Sequence, residues 1–433
     1  MTPETHGSGS SVESIDRRRF LAAAGAGTVV SVAGCIGYGS DDDGDDGDDG
    51  TATSGGEQHP DEVVIGSNHP LTGPTAYTGT RMDEAIQLAA MLKNEEGGIE
   101  SMGGAEVRVI SEDNQGQQEL GSEAAQTLVD DGADILTGCF SSPTTDDATR
   151  VAESEGVPFV ISAAADADIL QETSLEYVYR PQPSSLRMAE NHADYLPTVA
   201  SDHGVDVETV AIFYLDNSYG QSLRDGLREA LPAAGIDIVE EAAINFGQTA
   251  ETQATQFRDA DPDAIAATTF EDQTVELVRA MQDQDYMPPI LSGVANAAFT
   301  NRPALQDMGE IVNGAVTTGY SMNVTSEEAQ QIAERYEQEF EEPLDPASPG
   351  MAFGAAQVMI EAFEEAGTTD SEALNETLKE IEVTDHIMAM PPITFDEDGE
   401  NENAMAILHQ VQDLSPHVVY PPEFAETDPI DPS

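Results

Sequence analysis

The sequence predicts an α/β fold with parallel sheets covered on both faces, divided between two domains. From about residue 61 to 426, short apolar runs alternate strictly with segments of helical period. Such βαβα order makes successive strands parallel, because each helix carries the chain back to the edge where the previous strand began. Roughly 360 residues of this rhythm exceed one domain. Helical patterns resume after residue 327, so the first domain is expected to be completed by C-terminal sequence.

Val63-Val64-Ile65-Gly66 reads as the first strand. Residues 81–94 place Met82, Ala85, Ile86, Ala89, Ala90 and Leu92 on one helical face. A strand at 107–110 precedes a helix at 118–131, which Gly132 closes. A strand at 135–137, a helix at 143–155 and a strand at 157–161 follow. The break at Tyr179-Arg180-Pro181-Gln182-Pro183 marks a hinge.

The second cycle has helices at 186–199, 219–233, 249–259 and 272–284. Strands fall at 210–215, 236–240, 264–268 and 289–292. A strand at 315–319 then leads back to helices at 327–340, 352–366 and 371–381. Strands at 393–395 and 406–411 close the chain. The expected division is a signal over 1–34, a tether over 35–60, one lobe over 61–180 and 318–392, and a second lobe over 181–317 and 393–422. Residues 423–433 form a tail.

Composition excludes several functions. Of 433 residues, 16 are Lys or Arg and 83 are Asp or Glu, a formal charge of −67. No basic face for a nucleic-acid backbone or an anionic membrane can be built from so few cations. Apolar residues still make up 39%, so a core can form. Self-repulsion at this charge is large in dilute salt and fades in brine, where the Debye length is ~3 Å at 1 M. Scarce lysine, abundant acids and no Trp point to a halophilic protein.

Residues 16–21 read Asp-Arg-Arg-Arg-Phe-Leu, followed by a short Ala/Gly-rich apolar run ending in Val32-Ala33-Gly34-Cys35. Paired arginines before Phe-Leu resemble a twin-arginine export signal, although Asp16 stands where Ser or Thr is usual. The Val-Ala-Gly-Cys ending resembles a lipobox, which makes Cys35 the expected site of lipidation. The run is too short and glycine-rich for a good transmembrane span. One lipid chain holds weakly, so two are expected. Seven Asp between residues 41 and 49 then form a self-repelling tether without apolar residues. They lack the Glu and flanking helices of a calcium loop. The other cysteine, Cys139, follows an apolar run and is expected to be a buried small hydrophobe.

No catalytic or cofactor motif is present in the globular part. The eight histidines form no His-x-x-x-His pair, and neither Lys93 nor Lys379 follows a glycine-rich loop. There is no Gly-x-Ser-x-Gly elbow. Carboxylates are too abundant for any pair to single itself out. An enzyme, a cofactor and a metal are therefore not expected; an exported hydrolase is the disfavoured third class.

Four segments carry a resemblance. They are Gly66-Ser67-Asn68-His69-Pro70-Leu71-Thr72-Gly73-Pro74, Gly138-Cys139-Phe140-Ser141-Ser142-Pro143 with Gly156–Ser162, Asp216-Asn217-Ser218-Tyr219-Gly220, and Phe395-Asp396-Glu397-Asp398-Gly399. In order and spacing the chain resembles the type I periplasmic binding proteins of the branched-chain amino-acid and amide/urea group, which feed ABC importers. The resemblance implies two Rossmann-like lobes joined by a three-stranded hinge, closing on a small-molecule solute. It also implies that the closed form is recognised by an ABC permease, with a receptor in its place as the alternative; a monomer is expected, anchored to the outer face of the membrane through Cys35.

The resemblance also nominates residues. Ser142 matches a serine that holds the ligand carboxylate; it also suits the cap of a helix whose first residue is Pro143. Ala165 and Asp166 match the loop that takes the ligand ammonium, while Asp166 alone suits the cap of a helix starting at Ala167. Tyr219 matches a tyrosine laid over the ligand, against the alternative of a solvent-edge ring. The family's first-loop aromatic would fall at Thr78; here Tyr77 is shifted by one. Gly293-Val294-Ala295-Asn296 stands where amino-acid binders have a Glu. Phe270 and Glu271 match a nearby tyrosine position, and Glu271 is the candidate substitute for the missing acid. The implied solutes are amino acids, amides, urea-like compounds and small carboxylates.

Overall fold

The computed structural model describes residues 60–171, 175–202 and 204–431. The export signal, Cys35 and nearly all of the acidic tether lie outside the described residues.

The first sheet is built from β1 (Glu62–His69), β2 (Glu106–Asp113), β3 (Ile135–Gly138), β4 (Phe159–Ile161) and β5 (Val178–Tyr179). Its strands are all parallel, in the order β2-β1-β3-β4-β5. Between them run α1 (Ala76–Glu95), α2 (Gln118–Asp130), α3 (Ser142–Glu155) and the single turn α4 (Asp168–Gln171). Every residue of β3 and β4 is buried. A parallel strand covered on both faces has no polar side to show, so it reads as an unbroken apolar run.

The second half opens with α5 (Ser185–Asp202) and continues β6 (Thr209–Leu215), α6 (Ser218–Ala233), β7 (Asp237–Ile244), α7 (Glu251–Ala260), β8 (Ala264–Thr268), α8 (Glu271–Asp283), β9 (Ile290–Val294), α9 (Arg302–Met308) and β10 (Val316–Gly319). Three helices follow: α10 (Glu327–Phe340), α11 (Ser348–Ala366) and α12 (Ser371–Glu380). The chain ends in β11 (Ile407–Gln412) and β12 (Ser415–Tyr420). The seven strands are ordered β12-β11-β10-β9-β8-β6-β7; β11 and β12 are antiparallel to their neighbours. The expected strand at 393–395 is not formed. Val383–Ile393 and Phe395–Asn401 make only isolated bridges, because Asp396 turns the chain at once. Its carboxylate accepts the Asp398 and Glu400 N–H groups.

The late helices return to the first sheet. α11 packs along α1, and its residues are apolar nearly all round, as befits a helix buried on most sides. The crossings between the two sheets lie side by side: Arg180 bridges Glu400, and Met322 bridges Met388.

Loops at the carboxyl ends of the strands face each other across the gap between the sheets, where open α/β sheets bind ligands. The turn from β6 into α6 shows how tightly one such loop is built. Asn217 accepts the Gly220 N–H at 3.1 Å and caps the helix. A Cβ at Gly220 would lie 2.1 Å from the Leu215 carbonyl oxygen. That neighbour is backbone and cannot swing aside. Gly220→Ala is expected to destabilise the protein by roughly 1–3 kcal/mol, an overpacking cost. Urea unfolding in molar KCl checks it, and an unchanged midpoint would refute the close approach.

Candidate ligand-binding site

The cavity between the lobes is lined from both sides. Phe140 follows β3, and Ala163 and Ala165 follow β4; all three belong to the first sheet's loops. Tyr219 opens α6, Phe270 follows β8, and Asn296 follows β9. Thr317 on β10 and His409 on β11 lie in the wall, with Tyr320 from the crossing after β10 and Ser348 at the start of α11.

Three aromatic rings dominate the cavity. Phe140 stacks on Phe270 with centroids 5.4 Å apart, and Phe270 stacks on Tyr219 at 4.8 Å, nearly parallel at 14°. The Tyr219 hydroxyl donates to the Ala295 carbonyl at 2.7 Å, which fixes the ring. Burial pushes the phenol well above its ordinary pKa, so it stays protonated as a donor. Phe140 has φ 86°, a left-handed conformation that costs a non-glycine residue about 1–3 kcal/mol and is retained where surroundings enforce it. The free space is about 30 Å3, whereas small-molecule sites run from about 300 Å3. The lobes or the rings must part before a solute enters.

Ser142 is fully buried beside this cavity, and its hydroxyl accepts the Asp166 N–H at 3.3 Å. Ser142 does not cap α3: the helix begins at Ser142 itself, and Ser141, the extended residue before it, makes no side-chain capping hydrogen bond. Asp166 turns inward at 3% exposure and accepts the Asp168 N–H at 3.1 Å, at the start of α4. The Arg180 guanidinium donates to the Asp166 carbonyl and pairs with Glu400 at 2.8 Å. Arg180 therefore holds the Asp166 loop against the hinge.

Glu271 and Tyr77 sit elsewhere. Glu271 accepts from Thr78 at 2.9 Å and from Asn301 at 3.2 Å, tying the first turn of α1 in the first lobe to the second lobe. Burial raises its pKa. The Tyr77 ring lies under the Arg81 guanidinium, 3.6 Å from its centroid. With Pro74, both residues border a wider space of about 570 Å3 that is distinct from the aromatic cavity. Of the residues nominated from sequence, Ala165, Tyr219 and Phe270 line the cavity, and Ser142 and Asp166 back its wall. Tyr219 is 4% exposed, which overturns the solvent-edge reading. Phe140 and His409 were missed as site residues. Phe140 stood inside a quoted motif, but a positive φ leaves no mark on a phenylalanine. Cys139 is a fully buried free thiol, as expected.

The periplasmic binding protein family profile matches residues 62–413, most of the chain. The protein belongs to the periplasmic binding protein family. This binding protein is accordingly an extracytoplasmic solute-binding protein rather than an enzyme. It is similar to a Leu/Ile/Val-binding protein homologue of Brucella suis, 25% identical over 371 residues, covering 83% of this chain and 92% of the relative. Among solved structures it is similar to a leucine-binding protein from Thermotoga maritima, with TM-score 0.72 and 19% identity over 83% of this chain and 98% of that one. A Rhodopseudomonas palustris solute-binding protein in complex with 3,4-dihydroxybenzoic acid gives TM-score 0.71 and 22% identity, covering 86% and 99%. At these identities the two structures establish the fold of this binding protein.

Proposed function

We propose that this protein captures a small amino acid or related carboxylate of branched-chain size between its lobes, and that Cys35 tethers it by lipid to the outer face of the membrane. The carrying observation is the cavity at the strand ends, walled by aromatic rings from both lobes. The relative with Leu/Ile/Val-binding in its name supports the amino-acid class. Ser142 and the N-terminus of α3 offer donors to the carboxylate. Ala165 and Asp166 offer acceptors to the ammonium, and Tyr219 and Phe270 cover the apolar body. Glu271 and Tyr77 serve closure and the rim. Closure excludes water and strengthens each polar contact.

The stack of Phe140, Phe270 and Tyr219 favours a second reading, an aromatic carboxylate inserted among the rings. A receptor in place of a permease would use the same closure. With so acidic a surface, the domain is halophilic and is best assayed in brine.

A thermal-shift screen in molar KCl tests the reading with branched-chain amino acids, small amides and benzoates. A solute at 100 times its dissociation constant adds about 2.7 kcal/mol of stability. Tyr219→Ala is expected to weaken the best solute at least ~10-fold by removing a covering ring. If no solute raises the melting temperature, the reading fails.

A further inference from the structure

His409 is 1% exposed, and it forms part of the cavity wall. It lies directly opposite Thr317 in the antiparallel pair of β10 and β11, so both side chains point to the same face of the sheet. Thr317 uses that face: its hydroxyl accepts the Asn296 N–H at the cavity wall. Neither ring nitrogen of His409 has a hydrogen-bond partner. The other fully buried imidazoles are satisfied. His69 is held between Ser67 and Ser162, and His192 between Thr318 and Ser292.

A buried donor or acceptor left unpaired carries its full desolvation cost. The Thr317 backbone lies near the ring without reaching hydrogen-bond geometry. Burial pulls the His409 pKa down to about 4, so the ring is neutral at pH 7. A neutral imidazole offers one N–H donor and one lone-pair acceptor. Among the described residues, no Lys, Arg, Asp or Glu lines this cavity, and Asp166 only backs its wall beside Ala165.

We propose that His409 is a specificity residue of the cleft, selecting solutes whose body carries an uncharged hydroxyl or carboxamide over solutes of the same shape that are purely aliphatic. A hydroxyl or carboxamide can pair with whichever nitrogen faces it, accepting from the N–H or donating to the lone pair in either tautomer. A charged group at that point would meet no Lys, Arg, Asp or Glu among the described residues of the cavity lining. An aliphatic end leaves both unpaired. The proposal rests on capture of a small solute in this cavity and narrows its class.

Isosteric pairs test it. Binding of L-threonine against L-valine, L-asparagine against L-leucine, and 4-hydroxybenzoate against 4-methylbenzoate is measured by calorimetry in molar KCl. The polar member of at least one pair is expected to bind roughly 10- to 100-fold tighter. His409→Leu is expected to abolish that preference, and His409→Gln, which keeps a donor and an acceptor, to retain part of it. Should His409→Leu fail to fold, His409→Phe carries the same comparison with a ring in place. Binding without an isostere preference, or a preference unchanged in the apolar variant, overturns the role of His409 alone. Failure of all six solutes to bind overturns both this role and the amino-acid or aromatic-carboxylate reading.

Discussion

Arg180→Met is expected to destabilise the protein by about 3–5 kcal/mol and to weaken solute binding as well. Arg180 has no exposed surface. Its guanidinium reaches Glu400 on one side and the Asp166 carbonyl on the other. Burial raises the Glu400 pKa, and Arg180 is the largest influence holding it down. Removing the arginine leaves a carboxylate without its partner in a site too dry to solvate it, and frees the loop that carries Asp166. Pairing the change with Glu400→Gln should recover much of the loss, because the stranded charge goes with it. Urea unfolding of the two single variants and the double variant in molar KCl gives the coupling. A loss below about 1 kcal/mol for Arg180→Met would place the pair among ordinary surface bridges and refute its structural role.

Acidification from pH 7 to pH 4 is expected to remove stability through the buried histidines, and His192 isolates the effect. His192 lies between the hydroxyls of Thr318 and Ser292, and burial alone lowers its pKa from 6.5 to about 4. Between those two values the unfolded chain binds a proton that the folded chain refuses. The stabilisation is therefore complete above pH 6.5 and is lost as pH falls toward 4. That gap is worth roughly 3 kcal/mol. His69 and His409 are also lowered to about 4 and act in the same direction. Asp134 and Asp345, raised to about 6 by burial, act in the opposite direction as pH falls below 6. His192→Gln keeps hydrogen-bonding capacity without titrating, so its stability should fall less steeply by that amount. Equal slopes for wild type and variant between pH 7 and 4.5 would exclude the mechanism.

The fold was legible because buried parallel strands spell themselves out. Ile135-Leu136-Thr137 and Ala264–Thr268 have no polar face, and the helices between them keep a clear apolar stripe. What escaped lies where local pattern says little. β5 has two residues, too few to show any period. β12 contains Pro416, which argues against a strand interior but is tolerated on the sheet edge that β12 forms. The apolar residues Ile393 and Phe395 suggested a strand, but the Asp396 turn and Gly399, at φ 81°, redirect the chain into the hinge. There the Gly399 carbonyl accepts the Arg180 N–H at 2.8 Å.

The cavity lining was legible where a residue belongs to a loop motif, as Tyr219 does. It was illegible where the decisive fact is long-range. Nothing local distinguishes His409 from the other histidines, because its orientation follows from its register against Thr317. Glu271 matched a ligand-loop position, yet the fold brings Thr78 and Asn301 to it and makes it a tie between lobes.

The order of the strands also sets a schedule for synthesis. β11 joins the second sheet beside β10 about ninety residues after β10 is made, and α11 covers α1 only after some 250 intervening residues. A nascent chain that has just completed β10 therefore presents an open sheet edge and an uncovered apolar helix, two features that invite aggregation. Neither half can finish folding alone while the ribosome is still at work. Commitment to the native state waits for α11 and β11, so the two lobes together, rather than either alone, are the unit that folds.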